Sequence, residues 1–398
     1  MKLIKALVVC SALVWGSVQA QNISIATGGT GGVYYPMGGG LASVLSKKVP
    51  GMSATAEVTG GSVDNLNLIG TGKPYVGFSM ADAAKDAQSG QDKFTGKKVD
   101  LSTLLVLYPN RMHIVTTGAT GIKTMQDLKG KRVSTGSPGS ATEVMAFRVI
   151  EAAGLDKDKD MRRERLSVAE SVNAVKDRKI DAFFWVGGLP TAAVTDLANT
   201  PNTQIVMIDH SKEVDAMNKK YGNLYFKDVI PKTTYKGMEK DNNVISVANI
   251  LVTSPKMSEK DAYNIVKAVF DNKIELVRTH YEYISVTLAG QKSASTPIPF
   301  HPGALKYFKD VIPKTTYKGM EKDNNVISVA NILVTSPKMS EKDAYNIVKA
   351  VFDNKIELVR THFEYINVTL DAQKSASTPI SFHPGALKYF KEKNIKVN

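Results

Sequence analysis

Three glycine-rich turns carry the residue types best suited to binding chemistry in this 398-residue chain. They read Thr27-Gly-Gly-Thr-Gly-Gly-Val-Tyr-Tyr-Pro36, Thr59-Gly-Gly-Ser-Val-Asp-Asn65 and Thr135-Gly-Ser-Pro-Gly-Ser-Ala-Thr-Glu143, and each joins a strand-like to a helix-like segment. A helix start leaves unpaired N–H groups and a partial positive charge, and glycine lets a ligand come close to the backbone. Such turns therefore suit a carboxylate or a phosphate without a fixed cation. The alternative is that each turn only caps its helix, through Ser62 or Ser140. Three turns of one design in one chain favour a shared anion site.

Other chemistries find less support. Tyr34 stands where a dinucleotide fingerprint needs glycine, and no Gly-Lys-Ser/Thr follows any turn. A Gly-x-Ser-x-Gly nucleophile elbow is also absent from the sequence. The histidines (His113, His210, His280, His301, His362 and His383) lack two-apart or four-apart metal spacing. An enzyme would need a nucleophile and a base, for which Ser140 with His113 is the one nameable pair. His301-Pro302-Gly303 reads as a turn into a helix. Asp82 follows a strand end, where it either meets a ligand's ammonium group or caps the next helix. Tyr34, Tyr35, Tyr108 and Trp185 are candidates to wall a cleft, Phe183 and Phe184 are assigned to the core, and Arg111 is either an ion-pair partner or a surface residue.

The elements that must position these turns alternate in kind. Strands are expected at 22–26, 54–58, 75–80, 104–107, 112–116, 132–134 and 182–186, and helices at 35–47, 63–69, 141–153, 171–177 and 191–197. Further on, 244–253 is β-rich and apolar, 258–279 reads as one long amphipathic helix capped by Ser258, and 304–308 as a short helix. Strands alternating with helices give α/β layers with largely parallel sheets.

Composition narrows the class. Hydrophobic residues make up 43%, and Lys+Arg number 51 against 38 Asp+Glu, a net charge of +13 shared among short basic clusters separated by acids. Without aromatic interleaving these clusters read as solvated surface, so no nucleic-acid partner is expected. Lys2 and Lys5 precede an apolar stretch ending in Val18-Gln19-Ala20, the pattern of a signal peptide over residues 1–20. The stretch is shorter than the roughly 20 residues that span a bilayer. The single cysteine, Cys10, lies inside that leader, so the exported protein depends on neither disulfides nor thiol chemistry. Residues 226–307 recur as 308–389 with five differences (Tyr281/Phe363, Ser285/Asn367, Ala289/Asp371, Gly290/Ala372 and Pro299/Ser381). Two nearly identical copies do not make a solenoid. They read as a tandem duplication in which one copy is redundant.

The three turns, together with Leu128-Lys-Gly-Lys-Arg-Val133, Ile180-Asp-Ala-Phe-Phe184, Gly188-Leu-Pro-Thr191 and His301-Pro-Gly-Ala304, resemble the TAXI family of TRAP-transporter solute-binding proteins. The resemblance runs from about Asn22 to the C-terminus, apart from the second copy. It implies a two-lobed α/β fold of the type II periplasmic-binding-protein kind with crossing hinge strands. It also implies a periplasmic receptor, not an enzyme and without a cofactor, that captures a small organic acid or amino acid for a TRAP-type permease driven by an ion gradient. The same cleft would serve a receptor that reports to a two-component sensor. Ala141 departs from the family, which often has glycine there.

The combined expectation is a monomer with lobe I at 21–107 plus C-terminal elements from 226–398, and lobe II at 108–209. Gly29, Thr30, Gly31, Tyr34 and Ser62 would hold the ligand from lobe I. Ser137, Ser140 and Thr142 would hold it from lobe II, with Tyr108 and Trp185 as walls and no metal.

Overall fold

The computed structural model describes residues 21–73, 75–291, 296–311, 336, 338–354 and 382–393. The expected signal peptide lies outside them. Strand β1 (Gln21–Ala26) lies parallel between β2 (Met52–Glu57) and β3 (Tyr75–Met80). Helices α1 (Tyr34–Lys48) and α2 (Ser62–Ile69) make the crossovers that parallel neighbours require. Helix α3 (Ala81–Ser89) follows β3 directly and ends at Gly90 in the left-handed conformation.

Two strands run through the whole molecule. β4 (Ser102–Thr117) and β10 (Asn242–Thr253) pair antiparallel, β10 also lies against β3, and β4 also lies against β7 (Ala182–Gly187). Beyond β7 come β5 (Arg132–Ser134) and β6 (Arg162–Glu164), giving the order β2-β1-β3-β10-β4-β7-β5-β6. Short β8 (Ile205–Met207) joins β4, and β9 (Tyr225–Ile230) joins β10. Of the helices α4 (Ala141–Ala152), α5 (Val168–Lys176), α6 (Ala192–Ala198) and α7 (Val214–Tyr221), α4 and α5 pack on β7, α6 on α5, and α7 on α4 and β9. The result is the two-lobed α/β architecture expected, with β4 and β10 crossing between the halves, but the sheet is mixed rather than largely parallel because both crossing strands run antiparallel to their neighbours.

Several elements differ from the sequence reading. The strands expected at 104–107 and 112–116 are one strand, because Pro109 pairs opposite Ala248 where the β10 register shifts between Ala248 and Ile250. A bulge of this kind accepts a residue with no N–H to donate. The long helix expected at 258–279 is broken at Asn272 into α8 (Glu259–Asp271) and α9 (Lys273–Thr279). Ser258 does cap α8, accepting from the Asp261 amide at 3.0 Å.

Lobe I gains its outer layer from the first repeat copy and the first four residues of the second. Ile265 and Val269 of α8 and Tyr307 and Phe308 of α10 (Pro302–Val311) are buried in one cluster with Ile23, Ile25, Leu41 and Leu45. In the second copy, α11 (Glu341–Asp353) and α12 (Pro384–Glu392) form a small cluster of their own around Ala386, Tyr389 and Phe390. There Ile347, the counterpart of buried Ile265, is 41% exposed. The repeated strand expected at 326–335 lies outside the described residues. No helix among the described residues is long and apolar enough to cross a membrane.

Candidate functional site

All three glycine turns, and with them all ten residues expected to bind ligand, line one cavity of about 330 Å³ between the two halves of the sheet. The first turn leads from β1 into α1 and the second from β2 into α2, while the third leads from β5 into α4. A fourth helix start joins them, since Leu166 to Glu170 at the beginning of α5 also line the cavity. Sequence reasoning placed that helix start at Ser171. The missed signal is Ser167-Val-Ala-Glu170, a capping box in which the Glu170 carboxylate accepts from the Ser167 amide at 2.8 Å and the Ser167 hydroxyl accepts from the Glu170 amide.

Each turn meets the opposite lobe directly. Ser137 Oγ donates to the Gly60 carbonyl at 3.1 Å, the Asp64 amide to the Gly139 carbonyl at 3.1 Å, and the Ala193 amide to the Gly31 carbonyl at 3.3 Å. Small residues are needed for this approach. A Cβ on Gly32 would stand 2.9 Å from the Trp185 ring, and one on Gly31 would stand 2.9 Å from Ala169 Cβ. Gly61, just before α2, has φ 123° and ψ −151°, a conformation that is essentially confined to glycine.

The hydroxyls divide between structure and site. Ser140 caps α4: its Oγ accepts from the Glu143 amide at 3.2 Å and donates to the Ser137 carbonyl at 2.7 Å. Capping leaves the amides of Ala141 and Thr142, which belong to the orphan first turn, beside the cavity. Ser62 is the first residue of α2 rather than its cap, and its Oγ accepts from the Met80 amide at 3.2 Å. Thr142 Oγ1 accepts from the Val186 amide at 3.4 Å, and Trp185 Nε1 donates to Thr191 Oγ1 at 2.9 Å. Thr30 is exposed at the rim. Tyr35, offered as a wall, is 38% exposed and is not among the lining residues.

Behind the lining residue Tyr34, the crossing strands supply polar residues that the sequence reading did not single out. Tyr34 Oη donates to Asn249 Oδ1 at 2.9 Å and accepts from Asn110 Nδ2 at 3.2 Å. Both asparagines are fully buried, and burial raises the Tyr34 hydroxyl pKa above its usual value. Neither the buried Tyr108 hydroxyl nor Asn249 Nδ2 meets a partner in good hydrogen-bond geometry, and the two side chains are each other's polar neighbours. Burial likewise drives the Tyr108 hydroxyl well above its ordinary pKa, so it is a neutral donor. An asparagine inside an apolar strand, as in Val-Ala-Asn249-Ile-Leu, was the available signal.

The remaining candidates lie elsewhere. Asp82 is buried beside Arg148, and it accepts from the Ala83 amide at 2.8 Å and from the Tyr225 hydroxyl at 2.8 Å. It lies inside the first turn of α3, whose cap position is Met80, so it neither caps that helix nor lines the cavity, and its partners are Arg148 and Tyr225. Arg111 pairs with Asp228 at 2.9 Å and stands 3.8 Å from Glu282, outside the cavity lining. His113 Nε2 bonds the Tyr235 hydroxyl at 3.0 Å, and burial lowers its pKa to about 3. Ser140 and His113 therefore do not form a nucleophile–base pair. His301 takes the Gly303 amide on Nδ1, as its turn reading requires. Phe183 is core; Phe184 is both core and lining. No group of His, Cys, Asp and Glu among the described residues is placed to hold a metal.

Comparison with known proteins decides the family. The NMT1-like family matches residues 25–311, and a second match covers 309–393. The chain belongs to the NMT1-like family. Its double match follows the repeat, because the second stretch is the duplicated tail. Among solved structures, this NMT1-like chain is similar to the periplasmic aliphatic sulphonate binding protein SsuA from Escherichia coli, at 16% identity and a TM-score of 0.40. That match covers 73% of this chain and 83% of that one. A putative L-cystine ABC transporter from Listeria monocytogenes matches at 16% identity and a TM-score of 0.41, covering 66% and 95%.

Proposed function

We propose that this protein is a periplasmic solute receptor of the TAXI type. It captures a small carboxylate between its two lobes and presents it to a TRAP-type permease. The observation that carries the reading is the convergence of four helix starts, from α1, α2, α4 and α5, on one cavity that both lobes line. Their partial positive charges and free amides suit a carboxylate group. Gly29, Thr30, Gly31, Tyr34 and Ser62 take it from lobe I. Ser137, Thr142 and the amides beside Ser140 take it from lobe II, with Tyr108 and Trp185 as walls. Lobe I comprises 21–107 with C-terminal elements, and lobe II comprises 108–209.

The protein acts as a monomer, exported by its signal peptide, and performs no bond-making. A thermal-shift screen of organic acids tests the receptor reading, since ligand at about 100 times its Kd stabilises by roughly 2.7 kcal/mol. Absence of any stabilising carboxylate would overturn it. Uptake of the ligand by spheroplasts supplied with the receptor tests the permease class: it should follow an imposed ion gradient, and dependence on ATP instead would refute the TRAP assignment.

A further inference from the structure

Helices α8 and α11 share one sequence, Glu-Lys-Asp-Ala-Tyr-Asn-Ile-Val-Lys-Ala-Val-Phe-Asp, in two environments. In α8 the side chains of Ala262, Ile265, Val266, Ala268 and Val269 are buried, whereas in α11 only Ala344, the counterpart of Ala262, is buried. A Cβ on Gly303 would stand 2.9 Å from Ala262 Cβ, and one on Gly385 the same distance from Ala344 Cβ, so this burial comes from the helix pair itself. The other four positions, spaced i, i+1, i+3 and i+4, make one apolar face. In α8 that face is buried in one cluster with Met37, Leu41 and Leu45 of α1, against which α8 packs. In α11 the matching Ile347 and Ala350 are exposed, and Val348 and Val351 are half-buried.

The second helix pair already has the shape of the first. The Tyr263–Tyr307 ring contact at 5.5 Å recurs as Tyr345–Tyr389 at 5.8 Å, and Phe270–Phe308 at 6.4 Å recurs as Phe352–Phe390 at 6.2 Å. Phe300–Phe308 at 5.4 Å recurs as Phe382–Phe390 at 5.5 Å. His301 Nε2 donates to the Met257 carbonyl as His383 Nε2 does to that of Met339. All five differences between the copies fall outside 259–271 and 302–309 and their counterparts, so the two pairs present lobe I with the same side chains.

We propose that the exposed face of α11 is a second surface for lobe I, and that the α11–α12 pair exchanges with the α8–α10 pair for the one place on α1 of the same chain. Connection length decides which pair is seated. After β10, α8 begins beyond five residues (254–258) and α11 beyond 87 (254–340). The entropic cost of closing a loop grows as three halves of RT times the logarithm of its length, so the first pair is favoured by roughly 70-fold. That preference agrees with the observed seating of Ile265 and exposure of Ile347. Tethering keeps the second pair at a high effective concentration near its own α1, which favours exchange within the chain over a swap between chains.

Urea unfolding of the full mature chain tests this. Ile347→Asp alters an exposed position and should leave the midpoint unchanged. Ile265→Asp sets an unpaired carboxylate against α1, which would lower the folding constant by about 1000-fold or more if the first pair had to stay seated. Exchange limits that loss to roughly 70-fold. The double variant has no intact pair and should show the full loss, so Ile347→Asp, silent alone, should cost about tenfold or more beside Ile265→Asp. Thiol labelling reads the exchange directly, because the one cysteine of the sequence, Cys10, lies in the leader. Ile347→Cys should react freely in the parent and about tenfold more slowly beside Ile265→Asp, in a chain that remains monomeric. Failure of Ile265→Asp to fold, an Ile347→Asp that is silent in both backgrounds, or an equally reactive thiol overturns the proposal. Protection that appears only in a dimer overturns exchange within one chain.

Discussion

Replacing Gly31 with valine would test whether binding depends on the two lobes closing on each other. Gly31 belongs to the first turn of lobe I, and a Cβ built on it would lie 2.9 Å from Ala169 Cβ and 3.3 Å from Ala193 Cβ, both on lobe II helices. Carbon atoms at rest sit about 3.5–4.0 Å apart, so the facing lobe must retreat by several tenths of an ångström even for alanine, and further for the γ carbons of valine. Gly31 is not among the glycines with positive φ, so an L side chain brings no backbone strain of its own. The cost therefore falls on the closed arrangement. Overpacking of this kind costs about 1–3 kcal/mol, which translates into a Kd weakened roughly 5- to 150-fold. Titration calorimetry reads that change, and small-angle scattering should show less contraction of the variant on saturation. The ligand-free melting temperature should stay within about 2 °C of the parent, as for an exposed substitution. An unchanged Kd would refute closure as the basis of binding, and a large fall in the ligand-free melting temperature would show that Gly31 is needed for folding instead.

Three further outcomes follow from the same contacts. Asp86 sits 2.5 Å from Arg148, yet burial pushes its pKa up to about 6 from 3.8, so the folded state disfavours its ionised form and stability is lost as pH rises through that range. Asp86→Asn should thus gain on the parent by about 3 kcal/mol in denaturant titrations between pH 4 and pH 8, and a pH-independent difference would contradict it. Because its hydroxyl caps α4, Ser140→Ala should lower stability by about 1 kcal/mol, and an unaltered unfolding midpoint would count against the cap. Deletion of residues 308–389 should leave a folded chain with the same affinity and one ligand per molecule; loss of folding or binding would show that the second copy is needed.

What the sequence made legible was the set of local signals. The glycine turns, the alternation of strand and helix, and the apolar run of β10 are each visible within a few neighbouring residues, and all ten expected contact residues line one cavity. What it hid depends on distant partners. Ser62 and Ser140 look alike as caps, but one accepts from the strand amide of Met80 and the other from its own helix. Asp82 could not be assigned until α4 and β9 brought Arg148 and Tyr225 beside it. Asn110 and Asn249 hold the hydroxyl of the lining residue Tyr34 because the two crossing strands set them beside it.

The repeat shows the same limit within one chain. Tyr-Phe-Lys-Asp-Val is a strand at 225–229, in β9, and the end of a helix at 307–311, in α10. In β9, which pairs to β10 along Val244–Val247, Tyr225 is buried while Phe226 is 40% exposed, so the two neighbours point to opposite faces. In α10, Tyr307 and Phe308 are both buried against α8, since the preceding Pro302-Gly-Ala-Leu-Lys306 has already started a helix that neighbouring residues extend cheaply. The five residues carry no decisive preference, and what precedes them sets the outcome. The second copy is held by the same rule. Its helices α11 and α12 can repeat the pairing of α8 with α10, as the Phe352–Tyr389 stack at 5.9 Å and the Phe270–Tyr307 stack at 5.6 Å show. The place on lobe I that buries Ile265 is already filled by the first copy, so Ile347 stays exposed. A duplicated segment brings its local structure with it but not a second lobe to cover, and none of its described residues lines the ligand cavity.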